Sequence, residues 1–280
     1  MIRQESKAIL AQVQNILNEY DYPLSVRQIY YQLVARQIIE NIENEYRKLS
    51  RLTVIGRDEG ILDEEKFADR LRQIQQPNTW IDLNDFMETV KDAYRRDSWT
   101  EQPDYIEIWI EKDALRNVVA PVTERYGVPL LIVRGHVSRT AIYQAYQRYA
   151  EKNDKDCYLY YFGDFDPSGL TIYQSLVKRL SGFNNGNLDI TFERVALTQE
   201  QIDKYNLPPA PAKKTDPNTS RFIKQHGDNV VELDALPPDE LIALVQESIE
   251  QHIDMDIWNE SASIEAQETE ELQEFIAGRE

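Results

Sequence analysis

The run Cys157-Tyr-Leu-Tyr-Tyr-Phe162 is apolar or aromatic at every position and stops at Gly163. Two carboxylates one residue apart, Asp164 and Asp166, follow it, then Pro167 and Gly169. A strand without a polar position has no face to offer water, so it belongs at the centre of a sheet covered on both sides by helices. From Thr171 to Leu180 the apolar residues Ile172, Leu176, Val177 and Leu180 return at helical spacing. The two acids therefore stand at the carboxyl end of a buried strand, where open α/β sheets bind ligands. Strand alternation aims Asp164 and Asp166 at the same side. Like charges that close repel unless a cation lies between them. Asp-x-Asp suits Mg²⁺, which takes one or two carboxylates together with water and phosphate oxygens. The plainer alternative is a solvated turn in which Asp caps the next helix.

A second strand, Tyr105 to Ile110, ends in Glu111-Lys-Asp113-Ala-Leu, and a helix from Leu115 to Tyr126 follows, closed by Gly127. Glu111 thus offers a third carboxylate at a strand end; its plain alternative is an acid complementing a helix dipole. Further strands are expected over Pro129–Val133, Leu188–Leu197 and Val230–Leu236, and helices over Arg139–Lys152 and Pro238–Ile253. Alternating strands and helices make a parallel α/β sheet. Arg134, His136 and Arg139 follow a strand, where a phosphate or only solvent can lie. Glu232 and Asp234 alternate with apolar residues, so they share a face, where they add to a metal cluster or face water, and water is the favoured neighbour. Residues 207–220 are Pro-rich and are expected to be extended and exposed, with Lys213 and Lys214 a solvated pair. Beyond Trp258 the acidic, weakly periodic tail reads as a frayed helix or disorder.

The N-terminal part reads as three helices: Glu5–Tyr20, Val26–Ile39 behind an N-cap at Ser25, and Glu43–Arg57. With Gly60–Leu62 opening a short wing, they make a winged helix-turn-helix, a DNA-binding shape. The alternative is an anonymous helical bundle. In the second helix Arg27 and Tyr31 are four residues apart and share a face. A guanidinium there favours a phenolate and can hold a phosphate; alternatively, Tyr31 packs along an arginine stem. Trp80–Arg96 is a further helix and Asp97–Pro103 the connector between domains.

Composition narrows the function classes. The single cysteine, Cys157, lies in the buried strand and reads as a small core residue. There is no phosphate-binding Gly-x-x-x-x-Gly-Lys-Ser/Thr loop, no Cys/His cluster for zinc, and no apolar run long enough for a membrane span. A soluble cytoplasmic protein is expected. The net charge of −18 argues against a generic basic nucleic-acid binder. Basic and acidic residues balance, however, from Met1 to Gly60.

The strings Trp-Ile-Glu111-Lys-Asp-Ala-Leu and Gly-Asp164-Phe-Asp166-Pro-Ser-Gly169 resemble the Toprim domain of topoisomerases, primases and some nucleases. They look most like the A subunit of topoisomerase VI and its relatives, the meiotic double-strand-break protein and free-standing A-like proteins. By order of motifs the resemblance covers Pro23 to Ile253. It implies a winged-helix domain over 1–100 that carries the nucleophile, a Toprim-like metal-binding domain over 101–256, and an acidic tail over 257–280. Tyr31 matches the family's nucleophilic tyrosine and Arg27 the arginine one turn earlier. The resemblance implies DNA cleavage by transesterification, with Mg²⁺ on Glu111, Asp164 and Asp166 and a covalent 5′ link. It also implies a homodimer with composite sites, and a separate ATPase subunit for any ATP-driven step. The chain departs from the family in being short and acidic, which leaves cleavage easier to support than strand passage. The alternatives are a metal-dependent nuclease using water and a non-catalytic DNA- or partner-binding protein of the same fold.

Overall fold

The computed structural model describes residues 4–67, 77–184, 189–211 and 218–278. Lys213 and Lys214 lie outside these described residues. The chain starts with three helices, α1 (Gln4–Asn18), α2 (Val26–Ala35) and α3 (Glu43–Asp58). Leu10, Val13, Ile16, Ile29, Leu33 and Leu49, apolar positions at helical spacing, are buried in one cluster. Ser25 caps α2: its side chain accepts from Gln28 N, and the Gln28 side chain accepts from Ser25 N at 2.8 Å. α2 ends at Ala35, short of the expected Ile39. The backbone turns left-handed at Gln37 (φ 58°) and Ile38 N returns to Leu33 O. α3 closes on α1 at Gly56, where an added Cβ would lie 2.7 Å from Leu10 Cδ2. Residues 60–62, expected to open a wing, form a turn. A further helix, α4 (Leu83–Ala93), is shorter than expected and buries none of its residues.

The next segment alternates strand and helix: β1 (Asp104–Ile110), α5 (Arg116–Tyr126), β2 (Leu130–Ile132), α6 (Arg139–Ala150), β3 (Asp156–Phe162), α7 (Pro167–Asn184) and β4 (Ile190–Ala196). The four strands are parallel in the order β2-β1-β3-β4. Alternation along β1 and β3 divides the side chains between two cores. Ile106, Ile108, Ile110, Tyr160 and Phe162 join the core that also holds Val118 and Val119 of α5. Trp109, Leu159 and Tyr161 join Ile142 of α6 and Leu176 of α7 in the other. The strand read as buried on both faces is so buried. The chain runs from β1 outward to β2 through α5, and from β3 outward to β4 through α7 on the opposite face. β1 and β3 are neighbours at that reversal, and the crevice position outside their carboxyl ends is where open α/β sheets bind ligands.

After β4 come α8 (Gln199–Lys204), β5 (Ala210–Pro211), α9 (Thr219–His226), β6 (Asn229–Val230), α10 (Pro238–Glu250) and α11 (Met255–Ala277). β5 and β6 pair antiparallel. Three expectations are corrected here. The strand expected over Val230–Leu236 stops at Val230; Val231 bridges Phe165, and a 3₁₀ turn takes Leu233–Ala235. The tail is an ordered helix, capped by the Asp254 side chain. Its acids are used: Glu265 accepts from Arg96 N at 2.9 Å, and Glu268 pairs with Arg96 at 3.2 Å. Its Trp258 meets the Trp99 ring of the connector. In the Pro-rich stretch Leu207 is buried, where full exposure was expected.

One charged side chain stands in the middle of the sheet. Glu107 of β1 is 1 % exposed. Its Oε1 accepts from Tyr105 Oη at 2.9 Å and Arg148 Nε at 2.7 Å, and its Oε2 from Trp109 Nε1 at 2.7 Å and Arg148 Nη2 at 2.9 Å. A buried carboxylate is tolerable only when so fully partnered. Arg148→Ala should therefore lower the unfolding free energy in urea by about 3 kcal/mol, near the lower end of the roughly 3–5 kcal/mol for orphaning a buried charge, because Arg148 is partly exposed. A loss under about 1 kcal/mol would mean that Glu107 does not need its counter-charge.

Candidate functional site

The carboxyl ends of β1 and β3 set the first residues of the site. Glu111 N continues the ladder to Phe162 O at 2.8 Å, which places Glu111 beside the loop after β3. Its Oε2 accepts from Asp164 N at 3.1 Å and from Tyr161 Oη at 3.2 Å. Gly163 makes this approach feasible, since a Cβ there would lie 2.5 Å from the Tyr161 ring and 2.7 Å from Glu111 Oε2. Asp164 Oδ1 accepts from Leu233 N at 2.7 Å. Asp166 Oδ1 accepts from Gly169 N at 2.6 Å, so Asp166 caps the first turn of α7, as the plainer reading of the pair expected. The alternation that would aim both aspartates one way ends with β3 at Phe162. Phe165 instead forms an antiparallel bridge to Val231, and the two carboxylates have different partners.

Arg194 of β4 holds the same loop from behind. Its Nη2 donates to Gly163 O at 3.2 Å and Asp164 O at 2.6 Å, and its Nη1 donates to Leu197 O. Burial pushes its guanidinium pKa down, against the pull of Tyr161, Glu111 and Asp164.

Lys112, the residue after Glu111, lies at the middle of an ionic network. Its Nζ is 2.6 Å from Asp234 Oδ2, 2.7 Å from Glu232 Oε2 and 3.2 Å from Asp164 Oδ1. Arg27 of α2 reaches the same two outer acids, with Nη2 on Glu232 Oε2 and Nε 3.4 Å from Asp234 Oδ2. Glu232 and Asp234, expected to face water, are thus drawn inward. The Asp234 side chain is wholly buried, because two cations lie on the protein side of the turn. These charges bring α2 against the strand ends. The Arg27 guanidinium lies 5.7 Å from the centroid of the Tyr31 ring. Tyr31 is buried, and its hydroxyl has no hydrogen-bond partner among the described residues. It is not one of the fully enclosed unpaired atoms, which among the described residues are Gln28 Nε2, Arg194 Nε and Asp234 Oδ1.

The carboxylates outnumber the cations, and their proton affinities divide accordingly. Burial pushes Asp164 up to about 7; Glu111 and Asp234 add to the rise, while Lys112 and the Leu233 N–H oppose it. Burial also raises Glu111, with the Asp166 charge adding. Glu232 goes the other way: against its own burial, Lys112 and Arg27 hold it down to about 2. Burial raises the Tyr31 phenol, Glu232 and Asp234 raise it further, and Arg27 and Lys112 pull it back.

Among the described residues no group of three or more His, Cys, Asp or Glu side chains is gathered as a metal site. The individual donors nevertheless suit a hard cation. Glu111, Asp164 and Asp166 each spend one oxygen on backbone N–H groups, and their other oxygens have no hydrogen-bond partner among the described residues. A Mg²⁺ ion bound there would take one or two of these carboxylates with water and phosphate, not a closed protein cage.

The other residues singled out by pattern lie elsewhere. Arg134 pairs with Asp113 at 2.7 Å, His136 is exposed, and Arg139 lies over the Phe183 ring. Cys157 is buried in the second core, and burial pushes its thiol up to about 11. Lys112 and Arg194 had no assigned role in the sequence reading. Their only signal was a positive charge just after one strand or inside another.

The two pKa shifts of opposite sign predict a pH profile for the metal-free protein. Glu232, depressed when folded, stabilises above about pH 4.5 and loses this as pH falls towards 2. Asp164, raised when folded, binds its proton more tightly in the folded state. Its contribution is greatest below about pH 4 and declines as pH rises through 7, and Glu111 acts in the same sense. Asp164→Asn should flatten the decline between pH 5 and 7, in unfolding curves measured across this range in chelator. An unchanged slope would place the excess charge on another group. No family model, curated protein or solved structure matches this chain.

Proposed function

We propose that the chain is a Mg²⁺-dependent DNA-cleaving protein of the topoisomerase VI A-subunit type, a winged-helix domain joined to a Toprim-like domain. One observation carries the reading most directly. Ion pairs from Arg27 to Glu232 and Asp234 join α2 to the carboxylate-lined crevice, so Tyr31 lies within reach of its charges. In this reading Tyr31 loses its phenolic proton, its oxygen bonds to a DNA phosphorus, and the bond from phosphorus to the 3′ oxygen breaks. The products are a 5′-phosphotyrosyl enzyme and a free 3′ hydroxyl. Arg27 holds the phosphate. Mg²⁺, when bound by Glu111, Asp164 and Asp166, supplies neutralisation of the developing charge. Two protomers give two such sites, one for each strand, and twofold symmetry is the simplest way to supply them.

The burial of Tyr31 favours one competing reading. A phenol raised by burial is a poor nucleophile at neutral pH, and the same fold without cleavage would serve as a DNA-binding protein. For the catalytic reading, the Tyr31 side chain must turn enough for its hydroxyl to meet DNA. Incubation with supercoiled DNA and Mg²⁺, stopped with detergent and digested with protease, separates these cases. Wild type should give linear or nicked DNA and a covalent adduct by mass spectrometry. Tyr31→Phe should abolish both and keep DNA affinity within about twofold, since one oxygen is removed and no charge is lost. Tyr30→Phe loses only bonds to Asn41 and nearby carbonyls and should still cleave. Cleavage by Tyr31→Phe at the wild-type rate would transfer the chemistry to water, and no cleavage by any form would leave the binding reading.

A further inference from the structure

The two cations nearest Tyr31 already hold an anion. Glu232 Oε2 takes Lys112 Nζ at 2.7 Å and Arg27 Nη2 at the same time. One arginine N–H and a lysine ammonium converging on a single oxygen is an arrangement that suits a phosphate oxygen. We propose that Arg27 and Lys112 form a phosphodiester-binding pair, and that the Glu232 carboxylate occupies it as an internal stand-in until a backbone phosphate of DNA displaces it. The inference rests on the proposed DNA reading and adds Lys112 and Glu232 to the machinery that reading contains.

The network has an inner and an outer layer. Asp234, with no side-chain exposure, grips both cations from inside: Oδ2 lies 2.6 Å from Lys112 Nζ and 3.4 Å from Arg27 Nε. Asp164 Oδ1 adds a third inner contact to Lys112 at 3.2 Å. Glu232 is the outer layer, its side chain 33 % exposed beside an Arg27 side chain 37 % exposed. An anion arriving from solvent meets Glu232 first. When Glu232 swings away, the inner carboxylates keep Arg27 and Lys112 where they are.

The backbone under Glu232 stays in place while its side chain turns. Val231 is bridged to Phe165 in both directions, at 2.8 and 3.0 Å, and Leu233 N is held by Asp164 Oδ1 at 2.7 Å. Only the side-chain torsions of Glu232 are left to move. Replacing one monoanion by another also leaves the charge balance unchanged. Neither cation is stripped of its counter-charge, which is the step that makes breaking a buried pair costly. Glu232 is held strongly ionised by these cations, so protonation near neutral pH does not release it; a competing anion must. For a chain of net charge −18, the stand-in confines favourable contact with nucleic acid to a ligand that reaches into the crevice.

The test is DNA affinity by fluorescence anisotropy with a labelled duplex oligonucleotide, at fixed low salt and in chelator so that no cleavage occurs. Wild type is compared with Glu232→Gln, with Glu232→Asp, and with Glu200→Gln, which removes the same charge from an exposed site on α8. Glu232→Gln should bind about tenfold tighter than wild type, and Glu200→Gln less than about twofold tighter. Glu232→Asp keeps the charge but retracts it by one methylene, so its tighter binding would exclude a long-range effect. It also serves if Glu232→Gln melts too low to study. Equal gains from Glu232→Gln and Glu200→Gln, with wild type still binding, overturn the stand-in and leave the DNA reading intact. No binding by either wild type or the Glu232 variants overturns both, because unmasked cations that take no phosphate are not a phosphate site.

Discussion

The ammonium of Lys112 is the charge on which the arrangement of the crevice depends. It answers three carboxylates, Asp164, Asp234 and Glu232, from two other parts of the chain. It is largely buried, and its pKa is held above the ordinary lysine value by Asp234, Asp164 and Glu232 in spite of that burial. An ion this withdrawn from water cannot lose its partners cheaply. The end of β1, the loop after β3 and the turn at Leu233–Ala235 are therefore fixed relative to one another. Through Glu232 and Asp234 the same charge balance extends to Arg27, which ties on α2. Such networks add little net stability compared with an apolar replacement, while breaking one by removing a partner is costly.

Around that charge the sheet supplies rigid support. β1 and β3 are the two central strands, each covered on both faces. Gly163 lets Glu111 and the Tyr161 ring close on the loop, and Gly169 lets the start of α7 lie against the Asp164 carbonyl. Arg194 spends its guanidinium on the carbonyls of Gly163, Asp164 and Leu197, so the loop is held from behind while its carboxylates face the crevice. A site of this kind carries more negative than positive charge before anything binds. Asp164 registers the excess: its burial, with the Glu111 charge beside it, raises its pKa in spite of Lys112.

The rest of the molecule bears on the crevice by closing the fold around it. A single apolar cluster runs from Leu10 and Tyr30 in the N-terminal helices to Ile108 in β1 and Leu241 in α10. α11 lies against the connector and α4 through Glu265, Glu268 and Trp258. No helix among the described residues is long and apolar enough to cross a membrane.

Local pattern in the sequence was enough to determine the α/β alternation, the doubly buried strand at Cys157–Phe162, the Ser25 cap and the placement of Glu111, Asp164 and Asp166 at strand ends. Each of these depends on the chemistry of consecutive residues, which a period of two or of 3.6 exposes directly. The inward turn of Glu232 and Asp234 was not legible, because their alternation with apolar residues says that they share a face and not what stands opposite it. Lys112 stands opposite, from a strand end more than a hundred residues earlier, and Arg27 comes from another helix altogether. The ordered tail was missed for the same reason, since its glutamates look solvated until Tyr94 and Arg96 are brought beside them. Periodicity reports how one segment meets an average core or solvent. Which charges neutralise one another is decided only when distant segments meet.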